Sequence, residues 1–106
     1  MRALLFQGKE IAVVNIQKDD IRDETKALQA IIGGYIECIR IADDAVMLVD
    51  EDGYCKCLMP NPAASAFAGQ VILGTALVVG LAENADDELY FTDFPKRYGF
   101  GAKENA

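Results

Sequence analysis

The sequence predicts an α+β domain: a mostly antiparallel sheet of roughly five to six strands with one short helix packed on it, β-grasp-like or a small half-barrel. Three observations carry this. Short apolar runs, bounded by Gly, Asp and Pro turns, recur along most of the chain. One segment alone, Asp23 to Ile32, spaces its apolar residues three and four apart. A length of 106 residues fits a single domain with one core.

The elements follow in order. Ala3 to Phe6 and Ile11 to Val14 read as strands joined by the turn Gln7-Gly8-Lys9-Glu10. In the helical segment Asp23 or Thr25 can cap the start, and Ala27, Leu28, Ile31 and Ile32 share a face. Gly33-Gly34 ends it, since glycine readily takes the positive φ of a C-cap. A helix of about ten residues is not stable alone in water, so it must lie on the sheet. Tyr35 to Ile41 alternates as a strand, Asp43-Asp44 turns the chain, and Ala45 to Val49 returns. Asp52-Gly53 suits a hairpin turn leading to a strand over Tyr54 to Leu58. Pro60-Asn61-Pro62 breaks the ladder, and Ala63 to Ala68 suits a short helical turn. Val71 to Val79 is the most apolar run and suits a central strand covered on both faces.

Residues 1–82 therefore form one α+β domain. Residues 83–106 are an acidic and then aromatic segment, with Tyr90, Phe91, Phe94, Tyr98 and Phe100 in its second part. That aromatic load implies docking on the domain or on a second subunit, with only Ala102 to Ala106 frayed.

Composition narrows the function. Ten basic and seventeen acidic residues give a net charge of −7. The basic residues are scattered, which excludes direct nucleic-acid binding and attraction to anionic membranes. The acids fall in turn-like clusters such as Asp19-Asp20, Asp50-Glu51-Asp52 and Asp86-Asp87-Glu88, which suits solubility better than imitation of a DNA backbone. The chain has no His, so Ser-His and Cys-His nucleophiles and His metal ligands are excluded. Three cysteines (Cys38, Cys55 and Cys57), with no signal-like or membrane-length apolar stretch, point to free thiols in a cytoplasmic protein. A Cys-x-Cys pair is spaced more tightly than structural zinc sites use, so core packing is the expected role and neither metal nor cofactor is expected.

The candidate ligand-binding residues are Gly33, Gly34, Tyr35, Glu37, Asn61 and Thr75. The double glycine follows a helix rather than preceding one, so a C-cap competes with a cradle for a ligand. Tyr35 can stack on a ring. Glu37, on a largely apolar strand, is either a surface group at the sheet edge or an inward acceptor paired with a ligand, Arg40 or Lys56. Asn61 can donate and accept at once, or simply order an Asx turn. Thr75 carries a hydroxyl in the middle of an apolar run.

The order Leu28-Gln29-x-x-Ile32-Gly33-Gly34-Tyr35-Ile36-Glu37, then Asp50-Glu51-Asp52-Gly53, Met59-Pro60-Asn61 and Ile72-Leu73-Gly74-Thr75-Ala76, resembles a small domain-of-unknown-function family carried by phages, prophages and conjugative elements. The resemblance covers about residues 1–82. It departs at the loop, where the family spaces Pro and Asn by one residue and follows Asn with Arg, and where this chain has Pro62. The aromatic end looks particular to this chain. The resemblance implies a mobile-element accessory protein and assigns no reaction.

The expectation is thus a non-enzymatic binding module for a host protein or a small, nucleotide-like ligand, in which Tyr35, Glu37 and Asn61 bound one cleft. The alternative is a self-associating structural protein or an antirestriction-type acidic DNA mimic. The 52% apolar content exceeds what one helix and the expected strands need to cover each other. The surplus in Val71 to Ala82 and the aromatic end suggests a homo-oligomer, a dimer first.

Overall fold

The computed structural model describes residues 1–17, 21–99 and 103–104, with side chains left undescribed for residues 21–23 and 103–104. The chain runs β1 (Arg2–Gln7), β2 (Glu10–Asn15), α1 (Ile21–Ile32), β3 (Ile36–Ala42), β4 (Ala45–Asp50), α2 (Pro62–Ala68), β5 (Ala76–Glu83), β6 (Leu89–Thr92), a 3-10 turn (Lys96–Tyr98) and β7 (Lys103–Glu104). The class is α+β, and the sheet is antiparallel except where β7 runs parallel to β2. Among the described residues six strands pair antiparallel, as expected, and the two-residue β7 adds a parallel seventh, while the helix count exceeds expectation. Seven strands are present among the described residues, in the order β3-β4-β5-β1-β2-β7, with β6 added to β5.

The second helix is the main departure from the one-helix plan. Period-two alternation sends successive residues of each strand to opposite faces, and here each face has its own helix. Leu4, Phe6, Met47, Val49, Ala76 and Val78 face α2, through Ala64 and its neighbours Ile72 and Phe94. Ala3, Val46, Leu48, Leu77 and Val79 face α1, through Leu28 and Ile32. A sheet covered on both sides needs apolar residues on both sides, and all six residues of β4 are buried. Much of the apolar surplus is consumed within the chain, because β5 lies between β4 and β1 with Ala76 to Gly80 buried.

Three segments differ from the sequence-based expectation, each for a local reason. Residues 54–58 form no strand. The Asp50 carboxylate accepts from the Asp52 backbone N–H at 2.8 Å and from Lys56 Nζ at 2.8 Å. The backbone then coils, with Lys56 N donating to Asp52 O at 2.8 Å and Leu58 N to Gly53 O at 3.0 Å. A short acidic side chain that bonds its own following backbone competes directly with a ladder. Cys57 lies in the left-handed region, with φ of 56°. The start of β5 slips from residue 71 to Ala76 because residues 72–74 are bonded to the preceding loop instead. Asn61 N donates to Ile72 O at 2.8 Å and Gly74 N to Met59 O at 2.8 Å. Finally, α1 begins at Ile21, which puts Asp23 and Thr25 inside the first turns rather than at the cap.

The aromatic segment packs on its own domain as far as it is described. Phe94 is buried, and Tyr98 stacks edge-on against Phe67 of α2 with ring centroids 5.0 Å apart. Arg97 clamps Asp44 of the β3–β4 turn in two hydrogen bonds, of 2.8 and 2.6 Å. That pair holds the Asp44 carboxyl below its usual range and the Arg97 guanidinium above its own. Asp19-Asp20, Phe100 and most of the stretch expected to fray lie outside the described residues; within that stretch Lys103–Glu104 pairs with β2. No described helix is long and apolar enough to cross a membrane.

Candidate functional site

The six sequence-derived candidates do not converge on one cleft. Gly33 and Gly34 cap α1: both backbone N–H groups donate to Gln29 O, at 2.7 and 3.2 Å, and Gly33 has φ of 97°. Gly34 serves a second purpose. A Cβ there would stand 2.6 Å from Lys56 Nζ and 3.2 Å from Asp50 Oδ2, so the missing side chain makes room for that ion pair. Tyr35 is exposed and lies on the α1 side of β3, whereas Glu37, also exposed, borders a separate hollow that contains Tyr54 and Val71. Asn61 and Thr75 do share a hollow, of about 230 Å³.

Asn61 has no donor to spare for a ligand in that hollow. It is 2% exposed. Its Nδ2 donates to Phe6 O at 2.9 Å and to Gly74 O at 2.8 Å, and its Oδ1 accepts from Ala64 N at 3.0 Å. Both amide hydrogens are used. The residue is the N-cap of α2 and the knot between β1, α2 and the entry to β5.

The Asp50–Lys56 pair is equally structural. The Asp50 side chain is 1% exposed, that of Lys56 41%. The hydrogen bond from Lys56 holds the Asp50 carboxyl below the usual carboxylate range and raises Lys56 in turn. A depressed carboxyl stabilises the fold fully above its unfolded value, near pH 4, and loses that contribution as pH falls through the folded value. The melting temperature of wild type should therefore exceed that of Asp50→Asn by a constant margin at neutral pH. The margin should narrow below about pH 4. A margin that widens on acidification would contradict the assignment.

A concavity larger than the hollows at Asn61 and Glu37 is one that the sequence pattern does not point to. It has a volume of about 630 Å³ and lies between α1, the α1-facing side of β3, Val46 of β4, and the end of β5 with β6. Its floor is Leu28 and Val46, its far wall Leu81, Leu89, Tyr90 and Phe91, and its near wall Cys38 and Arg40, with Glu24 and Thr25 at the helical end. It arises because β5 continues beyond its pairing with β1 and β4 and takes β6 as its partner there. A second hollow of about 320 Å³, lined by Tyr35, shares Thr25, Leu28, Cys38 and Phe91 with the first. The two form one groove, which brings Tyr35 alone of the six candidates to its end.

The groove is mostly apolar yet open to water. Leu89 is 56% and Tyr90 45% exposed. Arg40 turns its guanidinium onto the β3–β4 turn, with Nε donating to Ala42 O and Nη2 to Asp43 O, both at 2.8 Å. Partial burial, and then the Glu37 carboxylate, push the Cys38 thiol up, so it stays protonated at neutral pH and adds an apolar, polarisable surface. All three cysteines are exposed, which corrects the expectation of core packing. The reason is the topology: Cys38 is on the edge strand, and Cys55 and Cys57 are in the coiled turn rather than a strand.

Two comparisons, one with curated proteins and one with solved structures, give no match. A family model does match, over residues 1–98. It extends through β6 and the 3-10 turn, so the aromatic segment up to Tyr98 belongs to the family pattern and is not particular to this chain. The chain belongs to the family described as a domain of unknown function, DUF3846.

Proposed function

We propose that this protein is a non-enzymatic accessory module that binds a small, largely apolar ligand in the groove between α1, β3 and β6. The observation that carries the reading is the groove itself: about 630 Å³ walled by Leu28, Val46, Leu81, Leu89, Tyr90 and Phe91. That volume lies in the range of small-molecule sites, and apolar walls with few polar groups are their usual lining. Exposed leucine and tyrosine at its mouth add area that a ligand would remove from water, worth roughly 25 cal/mol per Å². A phosphate-bearing ligand suits it poorly, because Glu24 stands at one end and Arg40 is engaged with backbone carbonyls. The nucleotide-like expectation thus gives way to an uncharged or cationic one. The setting, a phage or other mobile element, rests on the sequence resemblance.

An environment-sensitive apolar dye, such as an anilinonaphthalene, tests the reading. Saturable binding is expected to wild type and is expected to be lost in Cys38→Trp, which places an indole at the shared wall of the two hollows from an exposed edge position. The variant should melt within a few degrees of wild type, as surface changes usually do. Equal dye binding by both proteins would overturn the proposal.

A second reading, docking of a host protein or a second copy, is supported by exposed Tyr54, Met59 and Val71, at 86%, 78% and 77%.

A further inference from the structure

Glu24 is a singular feature of the groove. It is 7% exposed, and it lines the cavity at the helical end. It shares the buried stripe of α1 with Leu28 and Ile32, since the three are four residues apart and all are buried. Among the described residues no side-chain oxygen is both fully enclosed and without a partner, so the Glu24 carboxylate, for which no bond is seen, opens on the groove. A carboxylate with little access to water favours a cation or a hydrogen-bond donor as its neighbour. The cationic side chain on the cavity wall, Arg40, is directed at Ala42 O and Asp43 O. Leu28, Val46, Leu81, Leu89 and Phe91 can neither donate a hydrogen bond from a side chain nor carry charge, and Thr25 and Tyr90 bring only neutral hydroxyls.

We infer that the groove takes an apolar ligand bearing a protonated amine, with the Glu24 carboxylate as the counter-charge. This rests on the binding reading above and names its ligand class. The apolar body lies against Leu28, Leu81 and Phe91, and the ammonium donates to Glu24 at the helical end. Charge-assisted hydrogen bonds of this kind are shorter and roughly twice as strong as neutral ones. The groove's low polarity strengthens the pair further.

The test is a pair of probes equal in shape and different in charge: 1-naphthylmethylamine and 1-naphthalenemethanol, titrated calorimetrically into wild type, Glu24→Gln and Cys38→Trp. Wild type is expected to bind the amine about tenfold or more tightly than the alcohol, the worth of one hydrogen bond to a charged group. In Glu24→Gln the ratio should fall to about one. Glutamine is nearly isosteric and removes the buried charge, so this variant is also expected to melt at or above the wild-type temperature, which guards against a folding artefact. If amine and alcohol bind wild type alike, or if Glu24→Gln leaves their ratio unchanged, the amine inference fails. The groove reading survives that result provided Cys38→Trp still abolishes binding of both. If neither probe binds wild type, both fall together.

Discussion

Asn61→Ala is expected to lower the unfolding free energy by about 3–5 kcal/mol, a large share of the roughly 5–15 kcal/mol that a folded domain possesses. The loss has two parts. Removal of the N-cap bond to Ala64 N costs about 1 kcal/mol. Phe6 O then loses its donor at a buried site, which adds about 1–3 kcal/mol, and Gly74 O, at a part-buried one, adds about 1 kcal/mol. Asn61→Asp separates the two roles. A carboxylate can still accept from Ala64 N at the cap, but it has nothing to donate to Phe6 O and Gly74 O and places negative charge against them. It should be at least as destabilising as Ala, although Asp is among the best N-cap residues. Urea unfolding read by circular dichroism checks both. A loss under about 1 kcal/mol for Asn61→Ala would show that the three bonds are not what joins β1, α2 and β5. At a temperature where the variant is folded, its dye affinity should match wild type, because Asn61 is not part of the groove.

Gly80→Ala is expected to be nearly as damaging, about 3 kcal/mol or some 10–20 °C in melting temperature. Gly80 is buried in β5, paired with Ala45 on one side and with Thr92 on the other. A Cβ there would overlap the Asp93 carbonyl and press on Thr92 Cγ2. The backbone at Asp93 has little freedom to retreat. Asp93 Oδ1 accepts from Arg2 N at 2.8 Å, and Phe94 N donates to Arg2 O at 2.9 Å. Relief therefore means lifting β6 away from β5. Since β6 carries Leu89, Tyr90 and Phe91, Gly80→Ala should weaken dye binding even where it remains folded. A variant that melts within a few degrees of wild type and binds dye normally would show that β6 is held more loosely than the packing implies.

Hydrophobic periodicity alone makes most of the fold legible. The first hairpin, α1 with its double-glycine stop, and the β3–β4 hairpin fall where the pattern puts them, within a residue or two at each end. Periodicity misleads where a side chain bonds the backbone. Asp50 turns the expected strand at residues 54–58 into a coil, and Asn61 with its neighbours delays β5 to Ala76. A short Asp or Asn beside a turn is compatible with both outcomes, and only the position of Lys56, Phe6 and Gly74 in space decides between them. The candidate site is less legible, because its two walls lie some sixty residues apart in sequence, from Glu24 to Leu89. One signal is present. Glu24 precedes Leu28 and Ile32 at a spacing of four, which puts a carboxylate on the face of α1 that must be buried. Asn61 draws attention instead by its unusual place between two prolines, a feature that a helix cap explains fully.

The groove's occupancy is best decided residue by residue. A titration of isotope-labelled protein with 1-naphthylmethylamine, followed by amide chemical shifts, locates whatever binds. The account predicts saturable shifts at Glu24 to Leu28, at Cys38 to Arg40 and at Leu89 to Phe91, with Asn61 and Thr75 unmoved. Shifts confined to the Asn61–Thr75 hollow or to the neighbourhood of Glu37, or no saturable shift at all, would contradict it.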